Sequence, residues 1–214
     1  MRSIVFAFIV LLFSGCAKYV ETDISVFHEL KPSQSGSSYV IVSSKEQTGS
    51  LEFQSYAMQV KAELKRYGMV ESLYGKAKYA IYLSYGIDSG KSVVSSYPVY
   101  GPTGIGSSYS TGTIVSHGNT SSFTGVTFNT PNYGVVGSEN RTGILFTGYF
   151  NMDILDIAKS ADGKPHKVYE GRAVSYGEMG VLAPIMPAMI RSLFEDFPGQ
   201  SGISKRIRQP LEKE

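Results

Sequence analysis

The chain has 214 residues, with 20 basic and 18 acidic side chains, three histidines and a formal net charge of +2. A balance this even, spread without blocks, excludes a phosphate-tracking surface, so no nucleic-acid partner is expected. A single cysteine, Cys16, excludes an intrachain disulfide.

The N-terminus reads MRSIVFAFIVLLFSGC. Arg2 is a short basic head, Ile4 to Phe13 is unbroken apolar sequence, and Ser14 and Gly15 are small. This is the layout of a secretory signal peptide over residues 1–15. The apolar run falls short of the roughly 20 residues that a membrane span needs. A buried core helix would show a polar face, and this segment has none. Phe13-Ser14-Gly15-Cys16 resembles the bacterial lipobox, with Phe13 where leucine is usual. The resemblance implies a diacylglyceryl thioether on Cys16, cleavage before it and acylation of the new amino terminus. A thiolate is a good nucleophile for that alkylation. Each buried methylene contributes about 0.8 kcal/mol, so two or three chains anchor a protein where one is marginal. Ala17, rather than aspartate, implies sorting to the outer membrane, with the domain facing the periplasm.

Residues 16–22 read as a tether, and 23–199 as one α+β domain. From Asp23 to Leu30 the chain alternates, with Ile24, Val26 and His28 on one side of a strand. KPSQSGSS, Lys31 to Ser38, is a polar turn. YVIV, Tyr39 to Val42, is a short buried strand. SLEFQSYAMQVKAELKRYG predicts a helix: Ser50 caps it, Glu52 suits its positive end, and Phe53, Ala57, Val60 and Leu64 recur at helical spacing. Gly68 closes it. YAIYLSY, Tyr79 to Tyr85, is a strand with Tyr79, Ile81, Leu83 and Tyr85 on one face. From Asp88 to Thr142 the chain turns rich in Gly, Ser, Thr, Asn and Tyr and poor in charge. This excursion, 88–142, reads as a low-complexity loop carrying a small hairpin, Gly112–Val115 with Ser122–Phe128, around His117-Gly118-Asn119. GILFTGYFNMDILDIA is a long strand with Ile144, Phe146, Phe150, Met152 and Ile154 on one face. Asp162-Gly163 lies in the turn that leads to the partner strand, Lys167 to Tyr176. APIMPAMIRSLFEDFPG is a second helix, with Pro184 and Pro187 in its first turn where no amide is missed. Residues 200–214 read as a flexible charged tail. The sum predicts a two-layer α+β sandwich: a mostly antiparallel sheet, two helices on one face, and the excursion between core strands.

A lipobox, a YVIV strand, a helix ending ELKRYG, a tyrosine-rich strand and a Gly/Tyr-rich interruption before a hairpin and helix form a distinctive order. It is similar to a family of Gram-negative envelope lipoproteins, the domain of unknown function 4136. Tyr39–Ser43, Phe53–Gly68, Tyr79–Tyr85, Tyr149–Ile157, Val168–Tyr176 and Ile185–Phe197 carry the resemblance, about half of the chain. The family carries no established activity or catalytic residues, so the resemblance transfers none, and no cofactor is expected.

Chemistry-bearing patterns are scarce. His28, His117 and His166 lack zinc-site spacing, so no metal is expected. Asp153 and Asp156, three apart in a strand, point to opposite faces and read as surface charge rather than a general acid–base couple. Gly101 to Gly106 lacks the lysine and helix of a phosphate loop, and no G-x-S-x-G elbow is present. Tyr97, Tyr100, Tyr109 and Tyr133, set among Ser, Gly and Asn, are the candidate binding residues, because tyrosine joins a rigid apolar body to a polar tip. The expectation is a non-enzymatic periplasmic module. Its lipid on Cys16 engages the membrane, and its loop engages an envelope protein or glycan. The alternatives are an assembly-support subunit that pairs through a sheet edge, or an envelope hydrolase.

Overall fold

The computed structural model describes residues 18–73, 75–118, 120–160 and 164–212. The leader 1–15, Cys16, Ala17, Asn119 and the Asp162-Gly163 turn lie outside them. The elements are β1 (Tyr19–His28), β2 (Ser38–Val42), α1 (Leu51–Arg66), β3 (Val70–Glu71), β4 (Tyr79–Ile87), β5 (Lys91–His117), β6 (Thr120–Asp156), β7 (Lys167–Gly177), α2 (Met186–Phe194) and β8 (Ile203–Pro210). Strands dominate, and the fold class is α+β. The sheet is open and mixed, ordered β3-β2-β4-β6-β7-β1-β8, with β5 paired to β6. Most pairs are antiparallel, but β2 runs parallel to both β3 and β4. The parallel edge follows from α1, which carries the chain back to the end of the sheet from which β2 started.

The chain divides into two compact units: residues 1–91 with 145–214, and residues 92–144. In the first unit α1 forms as its caps dictate. The Ser50 hydroxyl accepts from the Phe53 amide at 3.2 Å, and Lys65 and Arg66 occupy the last turn. Gly68 has φ +75°, and an added Cβ there would stand 2.9 Å from Ser35 Oγ. Phe53, Tyr56, Ala57, Val60 and Leu64 are the buried stripe of α1. Helix α2 buries Met186, Met189, Ile190, Leu193 and Phe194, with Pro187 in its first turn where the missing amide costs nothing. The sheet meets these stripes with alternate residues: Ile24 and Val26 of β1, Tyr79, Ile81 and Leu83 of β4, Phe150, Met152 and Ile154 of β6, and Tyr169 and Ala173 of β7. Ile144, expected on the Phe150 face, is exposed.

Three expectations need correction. Tyr19 to Thr22, read as tether, already belong to β1. The segment 203–210, read as flexible tail, is strand β8, antiparallel to β1 with Ile207 opposite Thr22. Only Ile207 in β8 is buried, which is too weak an alternation to register as a strand. Its arginines are held by β1: Arg206 makes a two-pronged pair with Asp23 at 2.6 and 2.8 Å, and Arg208 lies 4.4 Å from the Tyr19 ring. The excursion is not a loop with a small hairpin. Its two arms are the uninterrupted strands β5 and β6.

Candidate functional site

The second unit is a two-stranded antiparallel ribbon. Cross-strand contacts define one register: Ser108 Oγ to Asn129 Oδ1 at 2.7 Å, Ser110 to Thr127 at 2.8 Å, and Ser116 to Ser121 at 2.8 Å. The rings of Tyr109 and Phe128 stack at 5.1 Å in the same register, which sets His117 opposite Thr120. Side chains alternate along a strand, so each contact assigns a face. One face holds the hydroxyl and amide ladder of Ser108, Ser110, Ser116, Ser121, Thr127 and Asn129. The other holds Ile105, Tyr109, Val115, Val126 and Phe128. Gly112 and Gly125 lie opposite each other, and added Cβ atoms would stand 2.3 Å from Thr124 O and 2.4 Å from Thr111 O respectively. Only glycine permits that backbone approach.

The arms of this ribbon have no core. Every residue of β5 except Gly101 is exposed. From Ser92 to Ser138 the chain carries no Lys, Arg, Asp or Glu. The four candidate tyrosines all fall here, with Tyr97 50%, Tyr100 70%, Tyr109 63% and Tyr133 72% exposed. They do not form one patch. Tyr109 lies on the Phe128 face, whereas alternation sends Tyr100 and Tyr133 to the ladder face. Tyr97 sits 5.4 Å from the Arg141 guanidinium. Reading the segment by composition missed Val126, Phe128 and Ile105. The signal that marks them is period-two alternation beneath the Gly/Ser background.

The first unit gathers its ionisable groups into structural pairs. His28 stacks on Tyr169, and its Nδ1 accepts from the Leu30 amide at 3.1 Å while Nε2 meets Gly199 O at 3.0 Å. His166 Nε2 lies 2.7 Å from Glu29 Oε1, a hydrogen bond that holds the Glu29 carboxyl below its ordinary value against the opposing effect of burial. His117 ends β5 in the second unit. Asp153 and Asp156 point to opposite faces as their spacing requires. Asp153 pairs with Arg172 at 2.5 Å and Lys167 at 2.9 Å. Asp156 is not surface charge: it is buried and accepts from the amides of Ala158 and Lys159 at 3.1 and 3.2 Å, capping the turn after β6. Asp88 Oδ1 accepts from the amides of Thr147 at 2.9 Å and Gly90 at 3.0 Å, which lowers its pKa against burial.

Burial pushes the Tyr39 hydroxyl up to about 12, with Glu71 adding to it, and raises Tyr56 and Tyr169 as well. These phenols stay protonated at neutral pH. The Tyr169 hydroxyl is buried without a partner among the described residues. A hollow of about 270 Å³ lies beside Tyr19, Phe146, Tyr176, Met179 and Ile185, and one of about 160 Å³ beside Ile24, Val26, Leu193 and Ile203. Among the described residues no three His, Cys, Asp or Glu side chains cluster as a metal site, and no helix is long and apolar enough to cross a membrane.

An α+β unit with an open mixed sheet, from which the chain departs between β4 and β7 into a ribbon without charged side chains from Ser92 to Ser138, is thus the class of protein defined here. Within that class the chain belongs to the family called Domain of unknown function (DUF4136), whose model matches residues 28–199. No curated protein matches the chain. Among solved structures it is similar to a PDZ domain protein from Parabacteroides distasonis ATCC 8503, at 13% identity and a TM-score of 0.45. That match covers 95% of this chain and 41% of the other, so the chain spans about two fifths of its neighbour's length.

Proposed function

We propose that this protein is a binding module rather than an enzyme, lipid-anchored through Cys16 at the periplasmic face of the outer membrane. Its contact surface is the ribbon. The observation that carries this reading is the ribbon itself: exposed aromatic and branched side chains on a segment without one formal charge from Ser92 to Ser138. Contiguous exposed apolar surface marks interaction sites, and an isolated two-stranded ribbon is marginal in water without a partner. The two-layer packing of both helices on one sheet face belongs to the same reading, in which the first unit is a stable platform.

Edge pairing through the first unit finds less support. Its outer strand β8 carries Lys205, Arg206, Arg208 and Pro210, and β3 at the other edge has two residues. Charged, proline-bearing and very short edges resist strand addition.

Two measurements test the proposal. Cys16→Ser is expected to abolish palmitate incorporation and move the protein out of the membrane fraction; retention of both would end the anchor assignment. Photo-crosslinking amino acids placed at Tyr100, Tyr109 and Tyr133 in the native envelope are expected to give adducts, and those at Tyr149 and Tyr82 of the first unit none. Adducts from the first unit alone would overturn the ribbon as contact surface.

A further inference from the structure

We infer that the distal ribbon, Thr103–His117 with Thr120–Thr130, enters a lipid bilayer and joins edge to edge with the ribbons of further copies of this chain, closing a transmembrane β-barrel. The inference rests on the reading of the ribbon as contact surface and names its partners.

Four observations converge. The first is charge. In hydrocarbon an ionised side chain is costly, and the distal ribbon has none. The second is length. Pro98, Pro102 and Pro131 interrupt the backbone donors of the two arms, and the stretches beyond them are proline-free. A membrane-crossing strand needs about 9–11 residues when tilted, and both stretches supply that. The third is facial alternation. Ile105, Tyr109, Val115, Val126 and Phe128 share one face with Thr103, Ser107, Thr111, Thr113, His117, Ser122, Thr124 and Thr130, while the opposite face is the ladder of Ser108, Ser110, Ser116, Ser121, Thr127 and Asn129. Apolar-out and polar-in alternation is the pattern of outer-membrane barrels. Ser107, Ser122 and His117 depart from it on the first face, and on the second Ile114 and Phe123 do. The latter two lie opposite each other near the turn, and inside a barrel they would narrow the lumen there. The fourth is edges. Within this chain β5 pairs with β6, so each arm leaves one row of amides and carbonyls unpaired along its outer edge.

Lipid tolerates no open edge, so a ribbon inside it must close a barrel. Two strands cannot close, and the smallest barrels have about eight. Identical hairpins solve this head to tail: β5 of one copy lies antiparallel to β6 of the next, with about four copies as the minimum. The second copy is favoured over a foreign strand because one sequence supplies both edges, at matched length and with matching faces.

The test uses the full lipidated chain reconstituted in vesicles of phosphatidylethanolamine and phosphatidylglycerol. Single cysteines are placed in turn from 108 to 116 and from 121 to 129. Positions on the Tyr109–Phe128 face are expected to react with a lipid-soluble maleimide, and those on the Ser110–Thr127 face with a water-soluble one, alternating residue by residue. Chemical crosslinking is expected to give a ring of about four copies or more, and planar bilayers a stepwise conductance. Val126→Arg is expected to abolish insertion, whereas Thr127→Arg keeps the oligomer and shifts the conductance toward anions. Uniform labelling by the water-soluble reagent, or a monomer without conductance, overturns the barrel. If envelope crosslinks from the ribbon then lead to a different protein, the barrel falls and the contact-surface reading stands. If the ribbon gives no adducts, both fall.

Discussion

Truncation after Gly202 is expected to cost the first unit about 2–4 kcal/mol, a large share of the 5–15 kcal/mol that holds a typical domain together. Strand β8 pairs with β1 from Ile203 opposite Val26 to Pro210 opposite Tyr19. Its backbone hydrogen bonds, each worth about 0.5–1.5 kcal/mol net, roughly offset the entropy of ordering the strand. What remains is burial. Ile207 is 8% exposed, and burying such a side chain contributes about 1.5–3 kcal/mol. Removing β8 also uncovers Ile24 and Val26 beside the hollow near Leu193, and cuts the bond from Arg191 Nη2 to Pro210 O at 3.0 Å. The cut leaves His28 with both of its C-terminal partners, Gly199 O and Ser201 Oγ, and removes beyond β8 Leu211, which packs against the core, and Glu212, which pairs with Arg191. Ile207→Ala should reproduce most of the effect. Arg206→Ala should reproduce little, because an exposed ion pair is screened by solvent. Denaturant unfolding of the truncated chain is the measurement. An unchanged midpoint would return the segment to the status of a frayed tail.

Where each face was buried by strong periodicity, the sequence was readable. Ser50, the Phe53 to Leu64 stripe and Gly68 define α1 without reference to anything distant. The alternation of Tyr79, Ile81 and Leu83, and of Phe150, Met152 and Ile154, marks the core face of β4 and β6. Strand β8 was hidden because its pairing energy lies in the backbone and in one isoleucine, set among Lys205, Arg206 and Arg208. The parallel placement of β2 was hidden because direction within a sheet depends on the crossover and not on local pattern. The ribbon was half visible. Gly, Ser and Asn lower strand propensity, so composition favoured a loop, and the weak alternation beneath it emerges only when both arms are laid in register. The candidate tyrosines all fall on the ribbon. Their division between two faces could not be read without that register.

The ribbon and the first unit should separate cleanly under excision. Replacing residues 102–135 with Asn-Gly joins Gly101 to Val136, which already face each other, since an added Cβ at Gly101 would stand 2.9 Å from Val136 Cγ2. Asn-Gly favours the tight turn that a two-residue hairpin connection needs. The excised arms are exposed, so their loss removes almost no buried area. Closing a shorter insertion also recovers about 1 kcal/mol of chain entropy. The chain leaving β4 is tied independently: the Asp88 amide donates to Thr147 O at 3.1 Å, while its carboxylate accepts from the Thr147 and Gly90 amides. The expected result is an unfolding free energy within about 1 kcal/mol of the full chain, together with loss of any oligomer and of the crosslinking positions at Tyr109 and Tyr133. Collapse of the first unit on excision would instead make the ribbon part of its scaffold. A short terminal strand thus matters more to folding than a long internal ribbon, because β8 covers the core and the ribbon covers none of its own. Apolar surface that does not serve the fold of its own chain is surface kept for something else.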